Sequence, residues 1–89
     1  MIERRIQIIN KLGLHARAAA KFVRTTSAFT SKVIIQKDGI EVDGKSILGI
    51  LMLAASKGTN IILRVSGQDE KAAAEAVEAL VASRFGEKE

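Results

Sequence analysis

Val33-Ile34-Ile35-Gln36-Lys37-Asp38-Gly39-Ile40-Glu41-Val42-Asp43-Gly44-Lys45-Ser46 is the stretch on which the fold turns. From Gly39 onward it matches the phosphate-binding loop pattern G-x-x-x-x-G-K-[ST] letter for letter, which would make the chain a nucleotide-binding α/β protein. The neighbouring residues point elsewhere. Val33-Ile34-Ile35 is short and β-branched, Asp38-Gly39 is a hairpin signal, and Ile40-Glu41-Val42 alternates as the returning strand. A phosphate-binding loop is an irregular turn whose backbone N–H groups wrap an anion, and an alternating strand in its middle is incompatible with that. The later strand ends in Ser66-Gly67 and offers no Asp to hold magnesium. The stretch is read as a β-hairpin, after which Asp43-Gly44 turns the chain into a helix capped by Ser46.

Working outward, residues 2–9 read as a strand with Ile6 and Ile8 on one face, and residues 10–13 as a loop. A helix is expected over residues 16–27, with Ala16, Ala19, Ala20 and Val23 as its apolar stripe and Arg17, Lys21 and Arg24 beside it facing solvent. The helix behind Ser46 is expected to run to about residue 55, with Gly58 after its end. Residues 60–66 form a strand with Ile61, Leu63 and Val65 inward. Asp69 then caps a last helix over residues 70–85, whose core stripe is Ala73, Val77, Leu80 and Val81. The order β-α-β-β-α-β-α predicts an α+β open-faced sandwich: a four-stranded, mostly antiparallel sheet with three helices on one face. The first and last strands are expected to be neighbours. No linker or repeat divides residues 1–89, so one domain is expected.

Composition narrows the function. A chain of 89 residues buries roughly 60–65% of its unfolded surface, and with 3% aromatic residues its thin core must be largely aliphatic. With one histidine and no cysteine, neither disulfides nor a structural zinc site are expected, and no cofactor is called for. Met1-Ile2-Glu3-Arg4-Arg5 lacks an apolar signal core, and the longest apolar run, residues 47–55, is well short of the ~18 that span a bilayer. A soluble, cytoplasmic protein is expected. The net charge of +4 raises nucleic-acid binding through Arg4, Arg5, Arg17, Lys21 and Arg24. The basic residues are interleaved with acids, however, and no tyrosine or tryptophan is present for base stacking.

The only histidine stands in Gly13-Leu14-His15-Ala16-Arg17, immediately before a helix. There it faces unpaired backbone N–H groups and the positive end of the helix dipole, which also suit an anion. Arg17 adds a fork-shaped phosphate partner, and the small residues Gly13 and Ala16 leave room for a partner to approach. His15 is therefore a candidate phosphoryl acceptor, against the plainer reading of a surface or capping histidine. Ser46 is a plain N-cap or, since a helix start tolerates a dianion, a phosphorylation site. The helix behind it is apolar almost all round, one stripe being Ile47, Ile50, Leu51 and Ala54 and another Leu48, Met52 and Ala55. Only one stripe can be buried on the sheet, so the other should be an exposed docking patch.

Asn10-Lys11-Leu12-Gly13-Leu14-His15-Ala16-Arg17 and, about thirty residues on, Asp43-Gly44-Lys45-Ser46-Ile47-Leu48-Gly49 together resemble HPr, the histidine-containing phosphocarrier family of the bacterial phosphotransferase system. The resemblance covers essentially the whole chain. It implies that His15 takes a phosphoryl group on Nδ1 from phosphorylated enzyme I and passes it to an EIIA-type domain, as a stoichiometric carrier. It also implies that Arg17 and the N–H groups of Ala16 and Arg17 steady the phosphate. Ile47, Leu48, Leu51 and Met52, with Ala20 and Arg24, would form the docking surface. Ser46 matches the serine modified by a kinase/phosphorylase in many members. The family usually carries proline where this chain has Ala18, which points to the nitrogen-related branch as the alternative to sugar transport; a purely regulatory homologue is a further one. The chain is expected to be monomeric, and Gly86-Glu87-Lys88-Glu89 is read as a mobile tail from which nothing is inferred.

Overall fold

In the computed structural model, which describes residues 1–89, the hairpin forms where the alternation places it. Strands β2 (Lys32–Lys37) and β3 (Ile40–Asp43) pair antiparallel, from Ile34 opposite Asp43 to Lys37 opposite Ile40. Between them Asp38 and Gly39 have φ of 51° and 82°, the two left-handed residues of a type I′ turn. The pattern that imitates a phosphate-binding loop is thus shared out among a turn, a strand and the cap of a helix.

Strands β1 (Ile2–Gln7) and β4 (Asn60–Ser66) complete a four-stranded sheet in the order β1-β4-β2-β3, antiparallel throughout. The first and last strands are neighbours, as expected. Along β4 the inward residues Ile61, Leu63 and Val65 are fully buried. On the other face, Arg64 joins Glu3 at 2.8 Å and Glu41 at 3.2 Å, a charged ladder across three strands. Helices α1 (Ala16–Ser27), α2 (Ile47–Met52) and α3 (Glu70–Ala82) cover the apolar face. No helix is long and apolar enough to cross a membrane.

Several details depart from expectation, each for a physical reason. The core stripe of α1 is Ala18, Ala19, Phe22 and Thr26, while Ala16 is exposed and Ala20 and Val23 are half-buried. Phe22 carries the most apolar area on that helix, and placing it at the centre of the core sets the helix's rotation. Phe22 and Phe85 are in fact the largest fully buried side chains, so the sparse aromatics anchor an otherwise aliphatic core. Helix α2 stops at Met52, well before residue 55, because the chain turns left-handed at Ala54 (φ 50°). Lys37 Nζ donates to the carbonyls of Leu53 and Ala54 at 2.9 and 3.3 Å, which satisfies the orphaned helix end. Gly58 therefore caps nothing and lies in the next loop, where its N–H bonds Ile8 O. Strand β1 ends two residues early, though Ile8 remains fully buried.

Helix α3 likewise ends at Ala82, and Ala74 replaces Leu80 in its buried stripe. Asp69 stands at its N-cap, as expected, but its side chain makes no cap bond. Its carboxylate instead accepts from the N–H of Thr30 at 2.8 Å, the N–H of Ser31 at 2.9 Å and both their hydroxyls. This clamp ties the start of α3 to the turn between α1 and β2. Above all the hydrogen bond from Ser31 Oγ, and then the one from Thr30 N–H, hold the Asp69 carboxyl at about 2, below its ordinary 3.8.

Candidate functional site

The site is built on the loop over residues 10–13. Asn10 is fully buried, and its amide donates to Gly13 O at 2.8 Å and to Glu87 Oε1 at 3.0 Å. Gly13 has φ of +66°, and a Cβ there would lie 2.5 Å from Ala55 O. It is buried, so glycine serves the loop's own conformation and not, as expected, the approach of a partner. Leu14 follows, buried and tied to Ala55 O through its N–H at 2.9 Å.

With Leu14 fixed, His15 falls at the N-cap of α1 in an extended conformation, its carbonyl accepting from Ala19 N–H at 2.8 Å. Its side chain does not turn back to cap the helix. Ala16 and Arg17 are exposed, and their N–H groups have no acceptor within the chain. Arg17 makes no ion pair and lines a shallow cleft of about 390 Å³ with Lys11, Leu12 and Glu87. The structure thus brings His15, two free N–H groups and a free guanidinium to one helix start.

The ring of His15 is 26% exposed and meets a carboxylate from which the sequence reading inferred nothing: Nε2 lies 2.5 Å from Glu87 Oε2. Residues 86–89 are no loose tail. Phe85 is buried, Lys21 Nζ donates to its carbonyl at 2.6 Å, and Lys11 N–H donates to Glu89 O at 2.6 Å. Partial burial pushes the Glu87 carboxyl up, but the hydrogen bonds from Asn10 and His15, with the nearby cation of Lys21, outweigh it and hold Glu87 below the usual range. The faint signal in the sequence was Phe85, a large apolar residue in a polar stretch.

The other candidates fall on α2 and its rim. Ser46 Oγ accepts from Gly49 N–H at 3.1 Å, so the expected N-cap forms. Lys45 spends its charge on Phe29 O at 2.7 Å. Neither predicted stripe survives whole. Ile50 is buried, Leu51 is half-buried against the core, and Ile47, Leu48 and Met52 stand out, the last two 74% and 77% exposed. On α1, which packs against α2, Ala20 is half-buried and Arg24 exposed. Of the five cations in the nucleic-acid reading, Arg4 is paired with Glu78 at 3.3 Å and Lys21 is held by Phe85 O.

An open-faced sandwich presenting a histidine, free N–H groups and a free guanidinium at one helix start defines a class of small α+β protein. Comparison with known proteins narrows the class. The family model described as "PTS HPr component phosphorylation site" matches residues 2–83. Phosphocarrier protein HPr of Neisseria meningitidis is 52% identical and that of Cupriavidus necator 49%, each over all 89 residues of both chains. The crystal structure of HPr-C-His from Thermoanaerobacter tengcongensis superposes with a TM-score of 0.97 at 46% identity, covering both chains completely. The chain belongs to the HPr family of phosphocarrier proteins of the phosphotransferase system.

Proposed function

We propose that His15 accepts a phosphoryl group on Nδ1 from phosphorylated enzyme I, itself charged by phosphoenolpyruvate, and hands it to an EIIA-type domain. The observation that carries this reading is the pairing of an unpartnered Nδ1 with the free N–H groups of Ala16 and Arg17 at the start of a twelve-residue helix. Those donors and the Arg17 guanidinium are where a phosphoryl group on His15 finds its charge stabilised. Transfer between two nitrogens needs alignment and charge stabilisation more than acid–base chemistry, so the protein acts as a cytoplasmic carrier that is loaded and emptied once per transfer. Ile47, Leu48 and Met52 with Leu51, Ala20 and Arg24 form the docking surface, and one copy of the chain suffices.

Ser46 is proposed as a regulatory site for a kinase/phosphorylase. It adjoins the exposed Ile47 and Leu48, so a phosphate dianion there places charge beside an apolar docking patch and weakens loading. The test of the whole reading is intact-mass measurement after incubation with phosphoenolpyruvate and enzyme I, beside His15→Ala. Gain of one acid-labile phosphoryl group, absent from the variant, is the expected result. No gain with a demonstrably active enzyme I refutes it.

A further inference from the structure

We propose that Glu87 is a positioning residue for His15: its carboxylate holds the ring in the tautomer protonated on Nε2 and thereby presents the Nδ1 lone pair to the incoming phosphoryl group. This rests on the reading of His15 as the acceptor. An ionised carboxylate only accepts hydrogen bonds, so Nε2 at 2.5 Å from Glu87 Oε2 must carry the proton. The neutral ring then has its lone pair on Nδ1, the nitrogen with no partner in the chain.

The placement is built, not incidental. Arg84, Phe85 and Gly86 all lie at positive φ, at 57°, 56° and 75°. Two of these are residues for which that conformation is unfavourable, and they turn the chain back toward α1. Burial of Phe85 and the bond from Lys21 Nζ to its carbonyl fix the turn. Asn10 takes the second carboxylate oxygen, so Glu87 is held from both sides. Arg17, the nearby free cation, is left to the phosphate.

The chemistry balances without a proton leaving His15. The Nδ1 lone pair forms the N–P bond while the bond from phosphorus to the donor nitrogen breaks, its electron pair staying with the donor. The ring keeps its Nε2 proton and gains a delocalised positive charge, which the Glu87 carboxylate faces. Delivery to the next acceptor is the same step reversed. A buried carboxylate plays the equivalent part behind the histidine of a hydrolase triad.

The test joins ¹⁵N NMR of the His15 ring, at a pH where it is neutral, to the rate of phosphoryl gain from phosphoenolpyruvate and enzyme I. Wild type is expected to show a pyridine-like Nδ1 and a pyrrole-like Nε2. Glu87→Ala should shift toward a tautomer mixture and load about 10- to 100-fold more slowly, by analogy with a metal-ligating imidazole that loses the partner on its other nitrogen. Glu87→Gln keeps an accepting oxygen but no charge, so it should retain the tautomer and fall between the two in rate. A wild-type proton on Nδ1, or a folded Glu87→Ala with unchanged tautomer and rate, overturns the proposal. Failure of wild type to load at all sinks the carrier reading, and the tautomer of Glu87→Ala then decides the positioning role by itself: a shift supports it, no shift overturns it.

Discussion

Substituting Gly13 by alanine tests whether the loop before His15 is held by backbone geometry. The position has φ of +66°, and the new Cβ would meet Ala55 O at 2.5 Å and Ser56 Cα at 2.8 Å. Gly39 is the natural control, since it has φ of +82° but nothing within 4 Å of an added Cβ. At Gly39 the left-handed conformation costs alanine about 1–2 kcal/mol, offset in part by about 0.4–1 kcal/mol from a less flexible unfolded chain. Gly39→Ala should therefore lose roughly 0.5–1 kcal/mol. At Gly13 both colliding atoms are backbone, so the segment at residues 55–56 must retreat, an overpacking cost of about 1–3 kcal/mol. That retreat also weakens the bond from Leu14 N–H to Ala55 O, worth about 1 kcal/mol. The expected total is about 3 kcal/mol, which at about 4–8 °C per kcal/mol lowers Tm by roughly 12–24 °C. Thermal and urea unfolding of both variants measure the difference directly. If Gly13→Ala is no less stable than Gly39→Ala, the loop is not held against residues 55–56, and the account of how His15 is placed fails.

Asp69 makes a prediction about acid. Its folded value, about 2, is depressed from 3.8, so its contribution to stability is complete above about 4 and is lost as pH falls through about 2. Asp69→Asn should be less stable than wild type at pH 7, and urea unfolding should show the gap closing as pH approaches 2; a gap independent of pH would mean that the charge is immaterial. The exposed patch on α2 predicts the opposite division of effects. Met52→Ala, at a side chain 77% exposed, should leave stability within about 0.5 kcal/mol while slowing phosphoryl gain from enzyme I in an intact-mass time course. Equal loading rates would remove Met52 from the docking surface.

Much of the fold was legible because local signals agreed with one another. Asp38-Gly39 between two β-branched runs forms its type I′ turn, α1 and β4 occupy the residues expected, and β1 lies beside β4. What could not be read depended on contacts far away in sequence. Periodicity alone does not set the rotation of α1, because alanines lie on more than one face and the position of Phe22 decides. The end of α2 depends on Lys37, which lies across the chain in β2 and supplies the donor for the last carbonyls. Asp69 precedes a helix, where its type suggests a cap, yet Thr30 and Ser31 offer it four donors and win.

The site divides along the same line. His15, Arg17 and Ser46 stand at helix starts, and helix starts are announced by the residues around them, so their placement follows from local sequence. Glu87 is announced locally by Phe85 alone: Gly86-Glu87-Lys88-Glu89 has the composition of a solvated stretch, and its partner His15 is 72 residues away. The contact is prepared by an apolar anchor: Phe85 is buried in the core, and the chain turns left-handed through residues 84–86 as it leaves it. With Phe85 anchored, the Glu87 carboxylate two residues on is met by Asn10 Nδ2 at 3.0 Å and His15 Nε2 at 2.5 Å. An aromatic residue in a charged terminal stretch is thus a sign that the stretch is held down. The charged residues beside it belong in the search for a site's partners.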